Sequence, residues 1–153
     1  MSARPTLIFD FDSTLVDFET LEALADIALA DAPDRQAVAA RIATLTDQAM
    51  AGEIAFGDAL RQRLALLPLT REHVQALAAR ALDHLTASVR RNQAFFQANA
   101  GRVIIISGGF REVIAPVAEA LGVKPDRVLC NDLAYDDTGR VTGVDDANPL
   151  SHA

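Results

Sequence analysis

Cysteine and lysine each occur once in these 153 residues, and tryptophan does not occur. A lone Cys130 excludes an internal disulfide and a metal site built from several cysteines; after Val128 and Leu129 it reads as a buried strand thiol. Basic residues are outnumbered, 14 to 21, and the resulting net charge of -7 argues against a nucleic-acid-binding surface. Long apolar runs are missing too. The purest aliphatic stretch is Val103 to Ile106, far short of the roughly 20 residues that span a bilayer, so no membrane partner is expected. No basic, hydrophobic leader opens the chain, which makes the cytoplasm the expected location. His73, His84 and His152 stand at no ligand spacing. What remains is an alanine-rich composition, 50% hydrophobic and 23% charged, with room for a genuine core and no internal repeat.

The most informative segment runs Leu7, Ile8, Phe9, Asp10, Phe11, Asp12, Ser13, Thr14, Leu15, Val16. It reads as a buried strand leaving the core, with two carboxylates one residue apart. Side chains alternate along extended backbone, so Asp10 and Asp12 share a direction that a following turn can bring into one pocket. Two carboxylates at a strand end can hold a hard cation, and Mg2+ accepts one or two of them alongside a phosphate. With that charge damped, one aspartate can attack phosphorus while the other handles protons. A bare pair of this kind is more often an acidic turn; the apolar residues before it and Ser-Thr-Leu-Val after it favour the chemical reading.

After this segment comes a stretch of roughly seventy residues with helical periodicity and no convincing strand pattern. Helices are predicted over Glu19 to Ala30, Arg35 to Met50, Ala55 to Pro68, Thr70 to His84 and Ser88 to Asn99. Glu19 would place a favourable charge in the first turn of its helix. In the third helix Phe56, Leu60, Leu64 and Leu67 share one face. Arg63, seven residues after Phe56, falls at the margin of that stripe, and Arg61 points to solvent. Because an unpartnered buried guanidinium is costly, Arg63 either snorkels past the edge or meets an anion there.

A second core strand, Arg102 to Ile106, runs into Ser107, Gly108, Gly109 and Phe110, then a helical stripe of Phe110, Val113, Ile114, Val117 and Leu121 ending at Gly122. Glycines at such a helix mouth let backbone amides approach a phosphate, and Ser107 adds a hydroxyl donor. Pro116 must either bend this helix or lie in its first turn. A third strand, Arg127 to Cys130, precedes a hairpin around Asp136 to Gly139, whose acids read as solvated turn residues.

The opening segment resembles the first motif of the haloacid dehalogenase superfamily, and the later residues resemble its phosphoserine phosphatase branch. That resemblance implies an α/β fold: a Rossmann-like parallel sheet, here incomplete, in residues 1–14 and 87–153, with a helical cap of the C1 type in 15–86. It implies Asp10 as nucleophile, Asp12 as general acid and base, and both as ligands of Mg2+. Ser107, Gly108 and the amide of Phe11 would bind phosphate, while Glu19, Met50, Phe56 and Arg63 match cap positions that line the substrate pocket. The implied substrate is a small phosphomonoester, O-phosphoserine first, as a carboxylate and a guanidinium complement its amino and carboxyl groups. Another small phosphomonoester, or phosphate binding without turnover, stays open, as does the oligomeric state. The family's third-motif lysine and fourth-motif Gly-Asp have no counterpart, since Lys124 is expected at the far end of the sheet from Asp10. The expectation is therefore an amino-terminal fragment with weak or no turnover by itself and with an unpaired first-strand edge.

Overall fold

The computed structural model describes residues 4–152. Strand β1 (Leu7–Phe9) leads into the helical block: α1 (Thr20–Ala28), α2 (Arg35–Met50), α3 (Phe56–Ala65) and α4 (Arg71–Arg80), the last followed by a 3-10 turn. Helices α5 (Ala87–Arg91) and α6 (Gln93–Asn99) return the chain to β2 (Val103–Phe110), then α7 (Arg111–Ala120) and β3 (Val128–Asn131). Strands β4 (Leu133–Tyr135) and β5 (Val141–Val144) form the expected hairpin, and a 3-10 turn, Pro149–His152, follows. No described helix is long and apolar enough to cross a membrane.

The α/β reading holds. The three core strands are parallel in the order β1-β2-β3, with Leu7 beside Val103, Phe9 beside Ile105 and Ile105 beside Val128. Among the described residues β1 pairs on one side only. Alternation along the strands puts Val103, Ile105, Val128 and Cys130 on the buried face, with the stripe of α7 also in the core. The opposite face carries Ile8, Ile106 and Leu129, which are 63%, 38% and 47% exposed. One continuous apolar cluster joins Ile105 and Ile114 to Leu24, Leu60, Leu69 and Leu77 of the helical block. The two ends of that block meet where Val16 bridges Leu85 and the Thr86 amide donates to the Leu15 carbonyl at 3.0 Å.

Four local differences from the sequence reading have physical causes. The helix expected over Ser88 to Asn99 is two helices, because Asn92 turns its side-chain amide onto the Ser88 carbonyl at 2.8 Å and leaves helical geometry. The third helix ends at Ala65 instead of Pro68, its last turn tightened by i to i-3 bonds from Leu66 and Leu67. Strand β2 runs on through the two glycines to Phe110, which pairs with Asn131 after a register shift. Arg61 does not simply face solvent; it bridges to Asp146 at 2.8 Å. Pro116 lies inside α7 beyond its first turn, and Gly122 takes the left-handed conformation (φ 77°) that ends the helix. The hairpin acids behave as turn residues: Asp136 accepts from the Thr138 amide at 2.9 Å and the Arg140 amide at 3.0 Å.

Candidate active site

The carboxyl ends of β1 and β2 open into a cavity of about 320 Å3. Asp10 enters it directly from the end of β1, and Asp12 from the turn that follows. That turn is closed by amides of Thr14, Leu15 and Val16 gathering on the Phe11 carbonyl, with Ser13 held at a φ of 51°. The Phe11 side chain is fully buried and anchors the turn to the core. Its amide donates to Asp10 Oδ1 at 2.6 Å, which fixes the carboxylate and leaves Oδ2 to the cavity.

Asp12 is held by the start of α1. The Thr20 hydroxyl donates to Asp12 Oδ1 at 2.5 Å and the Thr20 amide to Oδ2 at 3.1 Å, so this carboxylate takes up an otherwise unpaired first-turn amide. Burial works against these bonds and dominates, with the charges of Glu19 and Asp10 adding to it; the Asp12 carboxyl is pushed up to about 6. The native state therefore binds more protons than the unfolded chain between pH ~4 and ~6. The stability this site contributes is present below the unfolded value and lost as pH rises through the folded one. Asp12→Asn should accordingly stabilise the protein at pH 7.5 by on the order of 1 to 3 kcal/mol and do much less at pH 4. Urea titrations of both proteins with chelator present check this, and an equal difference at the two pH values would contradict it.

The far wall comes from β2. Ser107 is buried and its Oγ accepts from the Gly109 amide at 3.0 Å, which leaves the hydroxyl hydrogen free to donate. The Phe56 ring lies so close over Gly108 that a Cβ there would come within 2.7 Å of Cζ. Asn131, at the end of β3 and wholly buried, donates to the Gly108 carbonyl at 3.0 Å and so fixes that peptide.

Helices α1 to α3 supply the rest. Glu19 accepts from Ser13 Oγ at 2.5 Å at the cavity edge, and Met50, 85% exposed, lies at the rim. Arg63 is only 8% exposed: its Nε donates to the Ala59 carbonyl at 3.3 Å and its Nη1 to Thr46 Oγ1 at 3.1 Å. Burial lowers its pKa, and the charge of Glu22 opposes this. Of the nine residues singled out in the sequence, eight line one cavity; Phe11 stands behind it. Sequence reasoning missed Thr20, Glu22, Thr46 and Asn131. Only Thr20 carried a local signal, a hydroxyl and a free amide at a helix start.

Residues 7–151 match the haloacid dehalogenase-like hydrolases. The chain belongs to that family. Among the chain's curated relatives, phosphoserine phosphatases of mouse and human are each 34% identical over 145 residues, 95% of this chain. The chain spans 61% of their length. A solved phosphoserine phosphohydrolase-like protein from Francisella tularensis superposes with a TM-score of 0.82 at 27% identity, covering 98% of this chain and 68% of the other. A substrate-bound phosphoserine phosphatase complex gives 0.69 at 29% identity, with 94% and 64% covered. These similarities bear out the phosphoserine phosphatase-like branch.

The donor set suits Mg2+ in type, since Asp10 and Asp12 offer carboxylate oxygens at one cavity and Asp10 Oδ2 accepts no hydrogen bond among the described residues. It is a minimal set. Among the described residues no group of three or more His, Cys, Asp or Glu side chains is placed to hold a metal.

Proposed function

We propose that this hydrolase, as part of the whole protein, cleaves O-phospho-L-serine to serine and phosphate through a phosphorylated Asp10. The observation that carries this reading is Arg63, a buried guanidinium whose Nη2 meets no acceptor among the described residues and which lines the same cavity as Asp10 and Ser107. A buried cation so placed calls for an anion, and the phosphate has its own donors at Ser107 and Gly108. The second anion is a carboxylate. Glu19 complements the ammonium group beside it, while Phe56 and Met50 close over the ligand from the helical block, residues 15–86, which acts as a cap on 1–14 and 87–153.

In the first step the free oxygen of Asp10 attacks phosphorus and the bond to the serine oxygen breaks. Asp12 gives its proton to that oxygen, and its burial favours the protonated form that this step needs. In the second step Asp12 takes a proton from water, the water oxygen attacks phosphorus, and Asp10 is released with inorganic phosphate. The Ser107 hydroxyl and the Gly108 amide stabilise charge on the transferring group, whereas the Phe11 amide, expected to bind phosphate, is committed to Asp10 Oδ1 and holds the nucleophile instead. Asp10 and Asp12 would hold Mg2+, which supplies neutralising charge for the phosphate oxygens.

Initial rates with Mg2+ on O-phospho-L-serine and on phosphoethanolamine, which lacks the carboxylate, test the assignment. Arg63→Ala should lower kcat/KM for O-phospho-L-serine by roughly 10- to 100-fold and leave phosphoethanolamine nearly unchanged. An unchanged preference between the two would remove the carboxylate-binding role. Binding without turnover is favoured by one observation, that Lys124 precedes β3 and so stands at the opposite end of the parallel sheet from Asp10.

A further inference from the structure

We propose that Thr46 is the positioning residue that sets the Arg63 guanidinium for the ligand's carboxylate, an inference that rests on the reading of the cavity given above. Thr46 sits on α2 and Arg63 on α3, seventeen residues apart in sequence and side by side in the fold. The Thr46 hydroxyl donates its one hydrogen to the Ile42 carbonyl at 3.1 Å, so only its lone pairs face Nη1 of Arg63, 3.1 Å away. Its direction is fixed by its own helix. With Nε on the Ala59 carbonyl, the guanidinium is tied at two of its three nitrogens, and Nη2 is left for a ligand.

The chemistry of this partner matters. Among the described residues no carboxylate lies within salt-bridge distance of Arg63, and Glu22 acts on it only at longer range. An acidic partner would neutralise the charge that a ligand carboxylate needs; a hydroxyl orients the group and leaves its charge in place. Arginine has a long, rotamer-rich side chain, so holding its plane before the ligand arrives removes an ordering cost from binding. Thr46 lines the cavity one helical turn before Met50, so a single face of α2 both orients the cation and forms the rim.

The test compares wild type, Thr46→Val, which keeps the shape and removes the acceptor, and Thr46→Ser, which restores it. Calorimetric titration of O-phospho-L-serine should show Val weakening binding by about 5- to 20-fold, with phosphoethanolamine changed by less than about twofold and Ser close to wild type. Equal weakening of both ligands, or of neither, overturns the proposal. If the wild type itself fails to prefer O-phospho-L-serine, the carboxylate reading fails instead. The positioning claim is then judged on the ligand-free protein, from the Nε-H NMR signal of Arg63. That signal should be sharp in wild type and Thr46→Ser and broadened or shifted in Thr46→Val and Thr46→Ala; one signal common to all four overturns it.

Discussion

Asp10→Asn is expected to abolish both phosphoryl transfer and the response of the protein to a phosphoryl mimic. The asparagine keeps the size of the side chain and an acceptor for the Phe11 amide, so the turn after β1 survives, but no anionic oxygen remains to attack phosphorus. Release of phosphate from O-phospho-L-serine by the whole protein should fall by a factor on the order of 10^4 or more. A readout that needs no turnover comes from beryllium fluoride, which with Mg2+ mimics a phosphorylated carboxylate. At about a hundred times its dissociation constant it should stabilise the wild-type chain by about 2.7 kcal/mol, which is roughly 5 to 10 °C in melting midpoint for a chain of this size. The variant should show no shift. Equal shifts in both proteins would mean that the mimic binds elsewhere and that Asp10 is not the nucleophile.

The second large effect is on stability and concerns the residue between the two aspartates. Phe11 has no exposed surface, belongs to the cluster that joins the sheet to the helical block, and meets Phe18 edge-to-face at 6.3 Å between ring centroids. Truncation leaves a cavity at the junction of both parts and loosens the turn that aims Asp10 and Asp12. Phe11→Ala should cost about 3 to 5 kcal/mol, a large share of the roughly 5 to 15 kcal/mol available to a domain. Urea titration followed by circular dichroism measures it. A loss below about 1 kcal/mol would show that the turn is not anchored through this ring.

The parts of the site that were legible in the sequence are those whose geometry is local. Asp10 and Asp12 leave one strand together, and Ser107 and Gly108 leave another, so alternation and the end of an apolar run place them without knowledge of the fold. Arg63 was legible only as a question, because a residue at the margin of an apolar stripe can snorkel or be enclosed. What decides it is Thr46, contributed by a neighbouring helix, and no spacing within α3 announces that hydroxyl. The same holds for Thr20, whose bonds to Asp12 reach back eight residues across a turn, and for Asn131, whose bond to Gly108 depends on the pairing of β2 with β3. In the fold, the strand that was expected to stop at Ile106 continues because Asn131 supplies a pairing partner for Phe110 beyond the glycines. The helix expected to run unbroken to Asn99 stops at Asn92 because a short polar side chain competes for a helical carbonyl, an effect weaker than the surrounding periodicity and hidden by it. The exposed sheet face carrying Ile8, Ile106 and Leu129 also lay beyond the sequence pattern, since apolar residues on both faces of a strand read as burial on both.

The central claim is that one cavity recognises the phosphate, the ammonium group and the carboxylate of O-phospho-L-serine together. Calorimetric titration of the 153-residue chain with O-phospho-L-serine and with phosphoethanolamine, both with Mg2+ present, addresses it most directly. The account predicts a single site that binds O-phospho-L-serine at least about tenfold more tightly, the equivalent of one charge-assisted hydrogen-bonded contact at Arg63. Equal affinity for the two ligands, or binding of neither, would contradict it.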